Sequence, residues 1–187
     1  MLGILLSAAL ASAQAPCHHP DDTGLEWGLC NVSELRELVA AIRKRESVLA
    51  RALGPSGRTA LNDEHKRLLD MLRDEVGALW YDVVEDDVGA ALREHLAFLA
   101  SVDTRRRQGS EGSWANGRGE LRIAKGRATE LRIDECDVPT DTPGVTIRRE
   151  GAAMRVTMTR EAYAAIGCPS NPWPPSFRDG LYLPITG

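Results

Sequence analysis

The segment CHHPDDTGLEWGLC, residues 17–30, gathers the most reactive side chains of the sequence: Cys17, His18, His19, Asp21, Asp22, Glu26 and Cys30. Thiolates, imidazoles and carboxylates are the ligands zinc prefers, and a carboxylate beside an imidazole is the raw material of acid–base catalysis. The spacing fits neither chemistry. Adjacent histidines point apart, whereas zinc motifs set ligands roughly two to four residues apart and repeat the pair downstream. The other two histidines, His65 and His95, each fall on the apolar stripe of a helix. Satisfied, partly buried imidazoles are expected there, so no metal and no cofactor is expected. The sequence contains no G-x-S-x-G, H-E-x-x-H, C-x-x-C or P-loop pattern. No catalytic residue is therefore assigned, and the chain is read as non-enzymatic.

The same segment makes better sense as scaffolding. Thr23-Gly24-Leu25-Glu26 has the form of a capping box, in which the Thr hydroxyl and the Glu carboxylate satisfy backbone donors at a helix start. Asp21 and Asp22 precede that start, where the helix dipole favours negative charge. A short helix from Gly24 to Cys30 would carry Cys30 back towards Cys17. The N-terminus, MLGILLSAALASAQA, has an apolar core from Leu2 to Leu10 followed by Ala11-Ser12-Ala13. This is the pattern of a secretory signal peptide over residues 1–13, too short for a membrane span. The expected location is the periplasm or the exterior. Four cysteines in an exported chain predict disulfides among Cys17, Cys30, Cys136 and Cys168, and proximity favours Cys17–Cys30 and Cys136–Cys168.

Helical spacing dominates the first half. Leu35, Leu38, Val39, Ile42, Leu49 and Leu53 form one stripe, stopped by Gly54-Pro55. A second helix is expected from near Thr59, with Leu61, His65, Leu68, Leu69, Leu72, Val76, Leu79 and Trp80 on one face. A third runs through Val84, Val88, Ala91, Leu92, His95, Phe98 and Leu99. The Gly-, Ser- and Arg-rich residues 104–118 read as a linker or loop. Period-two alternation follows at Leu121/Ile123, Leu131/Ile133, Val145/Ile147, Met154/Val156/Met158 and Leu181/Leu183/Ile185. A helical turn is expected at Arg160–Ile166, capped by Thr159, and a proline-rich loop at 169–176. The fold class is α+β: a disulfide-closed N-terminal helical bundle of about three helices over 14–103, then a small antiparallel β-rich module over 119–187.

The N-terminal residues also resemble a known family. A signal-like N-terminus, then Cys17, Thr23, Glu26 and Cys30 as C-x12-C containing T-x-x-E-x-x-x-C, is similar to the LprI-type lysozyme-inhibitor family of small exported bacterial proteins. Glu34, Leu35, Leu38, Ile42 and Leu49 continue the match, as do Leu61, Glu64, Lys66 and Leu69. His65, Leu68 and Val76 depart from the family's Gln, Trp and Cys. The resemblance covers residues 17–74 and implies a helical, LprI-like domain that binds a protein partner, a lysozyme by the family's name.

Charge agrees with a protein partner and opposes nucleic acid. Residues 14–103 carry 10 Lys/Arg and 17 Asp/Glu, a net of −7, against 13 and 10 over residues 104–187, a net of +3. An acidic half attracts basic proteins and repels a phosphate backbone. Trp114 in GSWANGRG and Trp173 in NPWPP are the candidate interface anchors, being aromatic residues in expected loops. The alternatives are an exported hydrolase acting on envelope material and a two-module envelope-maintenance protein. The first would need converging carboxylates such as Asp86 and Glu94, the second two modules that hold separate partners.

Overall fold

A computed structural model describes residues 25–76, 81–105, 109–117, 119–133, 136–166 and 179–186. The expected signal peptide, the bridge between Cys17 and Cys30, Thr23 of the capping box and the loop bearing Trp173 lie outside the described residues. A helical region precedes a curled antiparallel sheet.

Helix α1 spans Leu25–Asn31. Leu25 is buried and Leu29 half-buried against the core formed by the next two helices. Helix α2, Ser33–Val76, is two helices in one, broken at Gly54 with φ 71° and ψ −162°. That φ lies in the left-handed region, which glycine alone enters without strain. Pro55 follows as the first residue of the second half, where its missing N–H has no partner to lose. The restart is therefore at Pro55, not near Thr59. The Thr59 hydroxyl donates to the Pro55 carbonyl at 3.2 Å, so Thr59 is already inside the helix. Helix α3 is Tyr81–Ser101.

Leu35, Ile42, Leu49, Leu61, Leu68, Leu72, Val88, Leu92 and Leu99 fill the seam between these helices. Spacings of three, four and seven bring such residues onto one face. Arg45 fastens the two helices at one end: its Nε donates to the Leu99 carbonyl at 3.1 Å, among the last carbonyls of α3, which have no acceptor role within the helix.

The strands are β1 Gly112–Asn116, β2 Gly119–Ala124, β3 Arg127–Ile133, β4 Cys136–Asp137, β5 Val145–Glu150, β6 Ala153–Met158 and β7 Asp179–Ile185. Their order is β4-β3-β2-β1-β7-β6-β5, all antiparallel. Strand β1 lies within the segment expected to be a linker. Lys125 and Gly126, with φ of 52° and 73°, make the two-residue turn between β2 and β3. Helix α4, Arg160–Ile166, is capped as expected, the Thr159 hydroxyl accepting the Ala162 N–H at 3.2 Å.

Alternation places Trp114, Leu121, Ile123, Leu131, Met154, Val156, Met158 and Tyr182 in a core inside the curl, with Ala162 of α4 against it. Strand β7 is buried on both faces. Tyr182 turns into that core, while Leu181 and Leu183 join the helical core. Pro184 interrupts no ladder with β6, because β6 pairs with β7 only over Asp179–Tyr182. Beyond that point the exit of α3 runs alongside, Asp103 N–H donating to the Pro184 carbonyl at 2.8 Å and Thr186 N–H to the Ser101 carbonyl at 2.9 Å. Among the described residues no helix is long and apolar enough to cross a membrane.

Candidate functional site

The polar side chains enclosed by the helices are the departures from the apolar seam. Glu46 comes from the first half of α2, His65 from its second half and His95 from α3. Glu46 Oε1 lies 3.0 Å from His65 Nδ1 and 3.7 Å from His95 Nε2. His95 is 5% exposed, and its Nε2 has no hydrogen-bond partner. The His95 ring also meets Phe98, with centroids 6.1 Å apart.

Burial by itself would raise the Glu46 carboxyl, yet the hydrogen bond from His65, the approach of His95 and the charge of both rings bring it down to about 2. At 3.7 Å His95 is too far for a full hydrogen bond, so its pull is mainly electrostatic. The hydrogen bond to Glu46 raises His65, with burial and Arg43 opposing. A carboxylate on Nδ1 is how a general-base imidazole is oriented. Among the described residues, however, no hydroxyl or thiol bonds to the His65 ring, whose hydrogen bond is to Glu46. No group of three His, Cys, Asp or Glu side chains among them is placed to hold a metal. The Glu46–His65 pair can bind and release a proton between the two halves of α2, and that is its chemistry.

A second enclosed carboxylate, Glu64, is 4% exposed and joins α2 to the sheet. Its Oε2 accepts Arg67 Nη2 at 2.9 Å and the Gly117 N–H at 2.8 Å. A third, Asp103, is gripped by Arg105 through Nε and Nη2, both at 2.9 Å.

The sequence where α2 ends and α3 begins is rich in acidic residues. Residues 70–87 contain Asp70, Asp74, Glu75, Asp82, Glu85, Asp86 and Asp87 against the single Arg73. Asp70, Asp86 and Asp87 are exposed. Helix α3 has 21 residues, so this corner lies about 30 Å along the helix from the end that meets β7.

No family model, curated protein or solved structure matches the chain.

Of the residues singled out in the sequence, Trp114 is corrected. It is fully buried in β1, because strand alternation turns its ring inward opposite Leu121 and Pro184. Its indole N–H is satisfied by the Ser110 carbonyl at 2.9 Å, so it anchors a core and not a partner. Trp173, Thr23, Cys17 and Cys168 lie outside the described residues, as do the side chains of Glu26 and Cys30. Cys136 lies on β4. His65 is satisfied as expected, whereas His95 is not. Glu46, Glu64 and Asp103 were missed. Glu46 and Glu64 each sit three or four residues from stripe leucines, the one signal that could have marked them as inward-facing.

Proposed function

We propose that the chain is an exported, non-catalytic binding protein whose acidic helical end receives a basic protein partner, with a lysozyme as the leading candidate. The carrying observation is the segregation of charge. The corner between α2 and α3 has seven carboxylates and one arginine in 18 residues, 70–87, while the half containing the sheet is net positive. Such a field speeds encounter with a basic surface and disfavours acidic ones. The signal-like N-terminus and the resemblance of Cys17, Thr23, Glu26 and Cys30 to the LprI-type pattern support the same reading. Bridges Cys17–Cys30 and Cys136–Cys168 belong to this proposal.

The experiment is a charge reversal at the corner. The triple variant Asp70→Lys, Asp86→Lys, Asp87→Lys changes exposed side chains and leaves the seam intact. Affinity for a basic lysozyme should fall at least tenfold, with an unchanged circular dichroism spectrum. Equal affinity of variant and wild type would rule out this surface.

A further inference from the structure

We propose that Glu46 and His65 form a proton-operated latch that holds the two halves of α2 together at mildly acidic pH and loosens them at alkaline pH. The geometry is that of one carboxylate oxygen between two imidazoles from two different helical segments, 3.0 and 3.7 Å away. A proton on the His65 ring gives that oxygen a charged donor. Without it the contact falls to a neutral hydrogen bond, beside a His95 Nε2 that has no hydrogen-bond partner. The weaker contact makes separation of the two halves of α2 cheaper.

The surrounding charges leave the latch to these two groups. From the first half of α2, Arg43 acts on His65 and opposes its protonation. Arg45 is engaged with the α3 carbonyls at Leu99. From the second half, Glu64 is committed to Arg67 and Gly117. From α3, Arg93 is paired outward with Glu34, and Glu94 is exposed.

The direction with pH follows from the two shifts. His65 is raised above 6.5, so its contribution is complete below that pH and is lost as pH climbs through the raised folded value. Glu46 is lowered from 4.5 to about 2, so its contribution is complete above 4.5 and is lost towards 2. Between those limits the latch is closed. An exported protein meets the pH of its surroundings, and this latch would make its helical half respond to it.

Thermal melts of the full chain at about pH 5.5 and 8.5, compared between wild type and Glu46→Gln, test the proposal. The amide keeps the shape and an oxygen acceptor but removes the charge. The wild-type midpoint should be about 3–6 °C lower at the higher pH, and the variant should show less than half that fall. A flat wild-type profile, or a variant that keeps half the fall or more, would overturn it. Should the variant not fold, ring proton and nitrogen shifts of the wild-type histidines decide. A latch requires the His65 ring to titrate above the ordinary histidine value of 6.5. A His65 midpoint at or below that value would refute it.

Discussion

Glu64 Oε2 accepts the backbone N–H of Gly117 at 2.8 Å, tying α2 to the turn between β1 and β2 across 53 positions of sequence. A parallel contact lies nearer the break in α2, where the Ser56 hydroxyl accepts the Ala152 N–H of the β5–β6 turn at 2.9 Å. Two hairpin turns are thus bonded to the second half of one helix. Between them β7 contributes Leu181 and Leu183 to the helical core.

Removing the Glu64 carboxylate should be felt on both sides of this joint. Glu64→Ala leaves the Gly117 amide and the Arg67 guanidinium without their shared acceptor, at a cost of about 2–3 kcal/mol. Urea unfolding measures it. A loss under about 0.5 kcal/mol, the range of ordinary surface substitutions, would show the joint to be unimportant.

The glycines of that turn should differ in tolerance. A Cβ at Gly119 would stand 2.0 Å from the Arg132 carbonyl oxygen, which is backbone and cannot move aside. At Gly117 the obstacles are side-chain ends, the Arg67 guanidinium and the Glu64 carboxylate, which can shift at the expense of their own contact. Gly119→Ala should therefore destabilise more than Gly117→Ala in paired denaturation curves. The reverse order would contradict the close packing of β2 against β3.

Trp114→Ala should cost about 3–5 kcal/mol, the range for emptying a buried aromatic site. Binding by the folded fraction should not change, because the ring reaches no surface. Loss of binding without loss of stability would restore Trp114 as an anchor.

Much of the helical half was legible in the sequence, because long stripes such as Leu35, Ile42 and Leu49 repeat every seven residues. The Gly54 break was legible for the same reason that it exists: glycine before proline is a local signal with a local cause. Strand β1 was not, since GSWAN has the composition of a loop and becomes a strand only by pairing with β2 and with β7, about 70 residues away. The two-sided burial of β7 was likewise hidden, because alternation reports which residues share a face but not which core each face meets. Glu46 and Glu64 were not expected to turn inward, because carboxylates in helices are ordinarily solvated. Their partners explain it: His65 and His95 meet Glu46, while Glu64 holds Arg67 three positions on and Gly117 in the sheet.

The acid limb of stability should carry the signature of Glu46. Its lowered value, from 4.5 to about 2, means that the charge stabilises the fold above 4.5 and ceases to as pH falls towards 2. Glu46→Gln should cost of order 2 kcal/mol near neutral-acidic pH, and the gap to wild type should narrow steadily below 4.5. Denaturation at a series of acidic pH values checks this. A gap independent of pH would assign the effect to packing alone.

Binding of a basic protein partner by the acidic helical end is the proposal on which the functional reading rests. Direct titration of the purified chain against a panel of basic and acidic lysozymes, followed by calorimetry and by residual enzyme activity at low and raised salt, tests it most directly. A complex with at least one basic lysozyme, weakened by salt, is expected, and none with the acidic ones. No complex and no inhibition across the panel, or equal binding to acidic and basic members, would contradict it.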